Sequence, residues 1–238
     1  MNNLTRAGIL LVLLLTANTA RSQVVISLLF GEKLNSEKIE FGLIGGFNWS
    51  NLNDLEEAKA LTNFNLGFYF HFKMAENSFI STGVLVKSDL GATGLDTYSI
   101  GEPDFDSVFV NGKLTKQISY FHVPVMYHYR FKNRFYLEAG VQAGLRASAR
   151  DIFTKEEFGG DLEYIRNTRT EYTALDAGLL GGFGIKFKQQ TKSMSMGLRY
   201  YQGLVDVSTV DNVSFKNSSI YLFIKIPIGV KGETEASE

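Results

Sequence analysis

The chain has 238 residues, with 24 Lys and Arg against 25 Asp and Glu, 23 Gly, three His and no Cys. A hydrophobic content of 45% excludes a disordered chain, and the near-zero net charge argues against a nucleic-acid binder, which needs a basic face. The lack of Cys and the small number of His exclude zinc-ribbon, iron–sulfur and thiol chemistry.

The N-terminal residues have the features of an export signal. Arg6 supplies a positive charge, and residues 7–17 form an apolar run that is too short to cross a bilayer as a stable helix. Ala20 and Ser22 are the small residues that precede a cleavage point. We predict a cleaved signal peptide over residues 1–22, and an uncleaved N-terminal anchor is the alternative.

Beyond the signal, apolar residues alternate with polar or small ones. Phe121, Val123 and Val125 share one face of such a stretch, and His122 and Pro124 share the other. Alternation with a period of two is typical of a strand with two different faces. Eight segments follow the pattern: 38–50, 64–74, 78–89, 117–131, 134–148, 171–187, 193–203 and 217–229.

Short and long connections between these segments alternate along the chain. Three short turns are centred on Glu76, Asn133 and Gln190. The long connections cover residues 51–63, 90–116, 149–170 and 204–216. Because an up-and-down sheet places alternate connections at opposite ends, all short turns share one end and all long loops the other. This asymmetry and the even number of strands are typical of outer-membrane barrels.

The two faces of the segments indicate which kind of barrel forms. One face carries large apolar side chains, and the other carries Gly and charged residues that suit a narrow barrel interior and can pair there. Aromatic residues lie near both strand ends, as Phe131 does beside a short turn and Trp49 beside a long loop, which is typical of interfacial girdles. A soluble ligand-carrying barrel, the alternative, needs an apolar interior.

The predicted fold class is therefore all-β: an eight-stranded antiparallel up-and-down transmembrane β-barrel with short periplasmic turns and long extracellular loops. We predict that it is located in the bacterial outer membrane. The chain then divides into four predicted regions: a signal peptide (1–22), a periplasmic N-terminal segment (23–37), the barrel (38–230) and a polar C-terminal tail (231–238).

Several strand sequences resemble those of the PorT-like outer-membrane β-barrel family of Bacteroidetes. The similar segments are FGLIGGFNWSNL (41–52), YFHVPVMYHYRF (120–131), FYLEAG (135–140), DAGLLGGFG (176–184) and GLRYYQGL (197–204). The resemblance covers nearly the whole chain after the signal and implies the barrel fold and its location. The name of the family also implies an alternative hypothesis for the function, namely that the protein is an accessory component of type IX secretion.

Charged residues on the predicted inner face form a candidate network. Structural pairing is the favoured interpretation, because charges that face inward must be compensated; a proton or ion path is the alternative. An eight-stranded barrel is only wide enough for its own side chains, so we do not expect a porin. The predicted lumenal network consists of Glu40, Arg130, Glu138, Arg146, Asp176, Arg199 and Lys225.

The three His residues give little support for a metal site or an enzyme. His122 and His128 are six residues apart, about 20 Å along a strand, and His71 belongs to a different strand that we place far from them. His122 and Ser119 form the only candidate pair for a lipid-modifying enzyme, but their spacing places them on opposite faces of a regular strand. We predict no catalytic residue, metal or cofactor.

The long loops are the favoured place for binding. Gly101–Asp106 contains carboxylates that could chelate calcium but lacks a recognised ligand spacing. Asn111-Gly112 between alternating residues predicts a type I′ hairpin that exposes Phe109. The candidate external binding loop consists of Asp104, Asp106, Phe109, Asn111 and Gly112.

The predicted function is that of a non-enzymatic outer-membrane barrel whose acidic external loops mediate binding, adhesion or docking in an envelope assembly. The expected partners are outer-membrane lipid and an envelope protein, and no nucleic acid is expected. A type IX secretion accessory, a lipid-modifying enzyme and a soluble carrier are the alternatives.

Overall fold

The computed structural model describes residues 36, 38–53, 55, 57–157, 160–190 and 192–228. The predicted signal peptide, nearly all of the segment 23–37 and the C-terminal tail lie outside the described residues. No helix in the described ranges is long and apolar enough to cross a membrane.

Strands make up most of the described chain. They are β1 (Ile39–Asn53), β2 (Lys59–Lys73), β3 (Ser78–Lys87), β4 (Asp89–Asp96), β5 (Lys113–Arg130), β6 (Phe135–Glu157), β7 (Gly160–Asn167), β8 (Leu175–Lys186), β9 (Ser195–Gly203) and β10 (Lys216–Pro227). Helix α1 (Pro103–Val108) precedes β5, and a short 3₁₀ helix (Arg169–Glu171) follows β7.

Eight of these strands pair antiparallel in a closed ring. The ring runs β1, β2, β3, β5, β6, β8, β9 and β10, and β10 returns to β1 with Trp49 opposite Ile220. The predicted eight-stranded barrel is therefore confirmed. β4 continues the path of β3 after Ser88 and pairs with β5, whereas β7 pairs with the end of β6 outside the ring.

The predicted asymmetry between short turns and long connections is only partly correct. The three short turns lie where they were predicted: they cover residues 74–77 and 131–134 and, in the third, the described residues 187–190 and 192–194. The prediction of a long loop over residues 51–63 is wrong, because β1 reaches Asn53 and β2 begins at Lys59. Much of 90–116 and 149–170 is also strand, since residues beyond the membrane still find antiparallel partners.

The two faces of the barrel have the predicted polarity. Exposed side chains such as Phe68, Val125, Leu137 and Phe183 form an apolar outer belt. Inside, small residues allow the strands to approach closely: a Cβ on Gly46 would lie 2.0 Å from the carbonyl oxygen of Leu222. The inner face also carries buried charges, which excludes the apolar lumen of a soluble carrier.

Two β-bulges change which side chains face outward near the extracellular end. The pairing of β2 with β3 skips Val86, and the pairing of β5 with β6 skips Ala147. A bulge inserts one extra residue into one strand, so the side chains beyond it change from one face of the sheet to the other. Strict alternation after Ser81, Gly83 and Leu85 would place Lys87 inside, but Lys87 is exposed, and Ala149 beyond the second bulge is buried.

Candidate functional site in the external sheet and the barrel interior

The periplasmic half of the interior contains a buried ionic cluster. Glu138, which is 3% exposed, accepts hydrogen bonds from the Nζ of Lys225 at 3.1 Å and from the guanidinium of Arg199. Glu40 lies 3.0 Å from a guanidinium nitrogen of Arg130. The ionic cluster (Glu40, Arg130, Glu138, Arg199 and Lys225) thus contains five of the seven residues of the predicted network.

The other two predicted members lie outside this cluster. Asp176 pairs across the sheet with Gly144, six residues along β6 from Glu138, which corresponds to about 20 Å along the strand. Asp176 accepts a hydrogen bond from the Nδ2 of Asn217 at 2.8 Å. Arg146 donates to the backbone carbonyl of Tyr172. The structure therefore divides the predicted network into an ionic cluster and a separate polar layer nearer the outside.

Two of the three histidines join the ionic cluster, which the sequence did not reveal. The ring centroids of His71 and His128 are 4.5 Å apart, and the Nδ1 of His128 lies 3.3 Å from Glu138. The expectation that His71 lies far from His128 is wrong, because only β3 separates β2 from β5 in the ring. No group of three or more His, Asp or Glu in the described ranges is arranged to hold a metal ion.

The third histidine does not form a nucleophile–base pair. His122 is fully buried in the barrel, where its ring stacks on Tyr120 with centroids 5.1 Å apart. Ser119 lies at the bulge and pairs with Asp89 and Ser148 in the sheet. This arrangement agrees with the sequence argument that the two side chains face different sides.

An apolar cluster covers the extracellular end of the interior. Phe215 and Val207, from the connection between β9 and β10, are buried against Leu52, Leu90 and Tyr172. A backbone hydrogen bond also joins this connection to the residue after Tyr172, since the N–H of Thr173 donates to the carbonyl of Val207 at 2.9 Å. The inner charges are therefore separated from the outside by packed side chains.

Beyond the barrel, four strands form an external sheet, which we define as residues 89–96, 113–119, 148–157 and 160–167. One of its rows is apolar: Leu95, Leu114, Phe153 and Tyr164 lie opposite one another in consecutive strands. Phe109, in the turn after α1, packs on the row with its ring 5.9 Å from that of Phe153. The loop with α1 thus covers one face of the sheet.

The next row on the same face of the external sheet contains the charged residues Lys116, Asp151 and Arg166. Asp151, which is 0% exposed, lies 2.8 Å from the Nζ of Lys116 and accepts a hydrogen bond from the hydroxyl of Tyr98 at 2.9 Å. Arg166 donates to the same hydroxyl at 2.6 Å and pairs with Glu171 at 2.9 Å. Burial and the Asp151 carboxylate raise the pKa of Tyr98, so this phenol stays protonated and holds the loop to the sheet.

The candidate external loop differs from the sequence prediction. Residues 103–108 form a helix, and Asn111 adopts a left-handed conformation (φ 61°) in the turn in which Gly112 donates to the carbonyl of Phe109. The predicted type I′ hairpin and the exposed Phe109 are therefore wrong: Phe109 is only 6% exposed, because the apolar row offers it a partner.

The two acids of this loop have different environments. Asp104 is exposed, whereas Asp106 accepts hydrogen bonds from the hydroxyl of Ser99 and from the backbone N–H of Ile100. These hydrogen bonds lower the pKa of Asp106. The Asp106 carboxylate thus fixes the loop that precedes α1.

Strand β7 is a part of the external sheet that the sequence analysis missed. Within the described ranges it pairs only with β6, and no described strand lies along its second edge. Leu162 is 43% exposed and Ile165 is 47% exposed. The alternation of charged and apolar residues over 161–164 is the signal that could have revealed this strand.

A family model described as "Outer membrane protein beta-barrel domain" matches residues 19–209. The chain belongs to this family. The closed ring and the apolar outer belt agree with this assignment, which places the protein in the bacterial outer membrane.

Solved structures with detectable similarity include bacterial surface and outer-membrane proteins. The attachment invasion locus protein Ail of Yersinia pestis is 11% identical, with a TM-score of 0.42, over 81% of this chain and 100% of that one. Neisserial surface protein A is 9% identical, with a TM-score of 0.40, over 79% and 96%. AlkL is 14% identical, with a TM-score of 0.32, over 82% and 93%. No curated protein matches the sequence.

Proposed function

We propose that this outer-membrane barrel is a non-enzymatic binding protein that docks an extended segment of another envelope protein on β7. The edge of β7 that faces away from β6 carries the proposal: no described strand pairs with it, and a strand edge of this kind offers a row of backbone donors and acceptors to an incoming strand. Pairing of this kind gives affinity through the backbone, and side chains on the two faces supply specificity.

The side chains of β7 suit such a partner. Leu162 and Ile165 differ in parity along the strand, so they lie on opposite faces of the sheet, and both are exposed. Natural edge strands are usually protected by charged side chains, by Pro, by bulges or by covering segments. β7 carries the charged residues Asp161, Glu163 and Arg166, but it contains no Pro and pairs without a register shift, so it keeps a regular edge.

The external sheet also holds this edge in a fixed position. β6 extends without interruption from the short turn at Phe135 to Glu157, so one strand belongs to both the barrel and the external sheet. The apolar row centred on Phe153 and the ion pair between Lys116 and Asp151 join β5 and β6. A binding edge on a rigid support loses little conformational entropy on association.

The exposed Asp104 beside the sheet remains a candidate contact of the acidic loop.

The resemblance to the PorT-like family supports docking within an envelope assembly. Secretion is one process in which such an assembly takes part. His122 and Ser119 do not form the pair that a lipid-modifying enzyme needs, which supports the non-enzymatic part of the proposal.

Site-specific photocrosslinking in intact cells tests the proposal. A photoreactive phenylalanine analogue at position 162 should give a discrete adduct with one envelope protein, whereas the same analogue at the exposed Val210 should not. Ile165→Lys should abolish the adduct, because a charge on an edge strand opposes strand addition. Equal labelling from positions 162 and 210, or an adduct that survives Ile165→Lys, would contradict docking on β7.

A further inference from the structure

The periplasmic end of the barrel has a repeated pairing of aromatic and basic residues. At each of the three short turns, an exposed Phe is followed or preceded directly by an exposed Lys or Arg. The four pairs are Phe72-Lys73, Phe131-Lys132, Arg134-Phe135 and Phe187-Lys188. We call the four basic residues (Lys73, Lys132, Arg134 and Lys188) the periplasmic rim.

The exposed charges at the periplasmic end are mostly positive. The exposed Lys38 and the half-buried Lys192 add two further cations beside the periplasmic rim. Among the described residues, Glu76 is the one exposed carboxylate at this end, since Glu40 is buried with Arg130. No rim residue forms an ion pair with a described carboxylate. The rim therefore presents several positive charges that the described protein does not neutralise.

The rim also follows a continuous arc around the barrel. The turns join β2 to β3, β5 to β6 and β8 to β9, and these six strands are consecutive neighbours in the ring. Consecutive turns are therefore about two strand spacings apart, roughly 10 Å. The guanidinium of Arg134 reaches the carbonyl of Phe187 at 3.4 Å, so adjacent turns are in direct contact.

We propose that the periplasmic rim binds the phosphate groups of anionic phospholipids in the periplasmic leaflet. The apolar belt ends at Phe72, Phe131, Phe135 and Phe187, so the adjacent charges lie at the depth of the lipid headgroups. Lys and Arg place their charges in this layer while their aliphatic stems contact the apolar surface. Basic clusters beside a membrane-spanning segment attract anionic lipid headgroups.

An acidic periplasmic protein is a less suitable partner for these charges. The rim residues are distributed along an arc at the edge of the apolar belt and do not form a compact patch. A lipid leaflet surrounds the barrel and can supply one phosphate to each turn. Continuity with the membrane interface therefore favours phospholipid.

Lipid selectivity of the folded full-length protein tests the proposal. The protein is placed in phosphatidylcholine vesicles with spin-labelled phosphatidylglycerol or spin-labelled phosphatidylcholine, and electron paramagnetic resonance measures the lipid that the barrel immobilises. We expect phosphatidylglycerol to be preferred by about threefold or more at low salt. The preference should fall toward unity in 0.5 M salt, because salt screens exposed charges.

A rim variant and a matched control make the test specific. The variant with Lys73→Gln, Lys132→Gln, Arg134→Gln and Lys188→Gln should lose the preference. The control with Lys59→Gln, Lys87→Gln, Lys113→Gln and Arg169→Gln removes four exposed charges from the other end and should keep it. If the fourfold rim variant does not fold, Lys132→Gln alone should lower the preference. Equal immobilisation of both lipids by the natural protein, or a preference that survives in the rim variant, would overturn the proposal.

Discussion

Glu138 on β6 and Lys225 on β10 meet inside the barrel with their Oε2 and Nζ atoms 3.1 Å apart. The two residues are 87 positions apart in the chain, and both are almost fully buried. The same carboxylate also contacts Arg199 and His128. Glu138 is therefore the anion that compensates the buried charges of Lys225 and Arg199.

Glu138→Gln should destabilise the barrel strongly. Removing the carboxylate leaves Lys225 and Arg199 buried without their anion, and breaking a buried ion pair costs about 3–5 kcal/mol. The free energy of unfolding in urea, measured for the protein folded in vesicles, checks this. The exposed Glu163→Gln is the control and should change stability by less than about 0.5 kcal/mol. A loss below about 1 kcal/mol in Glu138→Gln would contradict the role of this carboxylate.

Gly46→Ala should prevent normal closure of the barrel. A Cβ at this position would lie 2.0 Å from the backbone oxygen of Leu222, so β1 and β10 could not keep their spacing. Gly181→Ala is a matched control, because its Cβ would have no neighbour closer than 4.0 Å. Gel mobility before and after boiling reports folding. Gly46→Ala should lack the heat-dependent mobility shift that Gly181→Ala retains. Identical shifts in the two variants would show that β1 and β10 can move apart enough to accommodate the added Cβ.

Phe153→Ala should loosen the external sheet without unfolding the barrel. Loss of a buried Phe costs about 3–5 kcal/mol, and Phe153 is the residue on which Tyr98, Phe109 and Tyr164 pack. Protease added to intact cells should cut residues 97–112 faster in this variant, while the heat-dependent mobility shift persists. The exposed Val210→Ala should leave cleavage unchanged. Cleavage at the natural rate in Phe153→Ala would show that the row does not hold the loop.

The loop that precedes α1 should loosen at acidic pH. The pKa of Asp106 is lowered by hydrogen bonds from Ser99 and Ile100, so the folded loop prefers the ionised carboxylate. This contribution to stability is complete above the usual pKa of 3.8 and is lost as the pH falls through the lowered value. Hydrogen exchange of residues 97–106 between pH 6 and pH 2 measures the loosening.

Asp106→Asn supplies the comparison for this pH dependence. The variant should show faster exchange in the loop already at pH 6 and a weaker change on acidification, because its side chain does not titrate. Asp104→Asn, an exposed neighbour in the same helix, should behave like the natural protein. If Asp106→Asn and the natural protein lose protection in parallel as the pH falls, another group controls the loop.

Much of the barrel could be predicted from local pattern alone. The segment predicted at 193–203 corresponds to β9 (Ser195–Gly203), and that at 78–89 corresponds to β3 (Ser78–Lys87) and the start of β4. These predictions succeed because the bilayer imposes a strict difference between the two faces of a spanning strand. Outside the membrane that difference weakens, and most of β4 and all of β7 were assigned to loops.

The sequence by itself determined the strand periodicity, the polarity of the two faces and the positions of the short turns, since each depends on residues close together in the chain. The tertiary structure decided the bulges at Val86 and Ala147, the burial of Phe109 and the meeting of His71 with His128. Each of these depends on strand register and on closure of the ring. Register is a relation between strands, and a shift of one residue moves every side chain beyond it to the opposite face of the sheet.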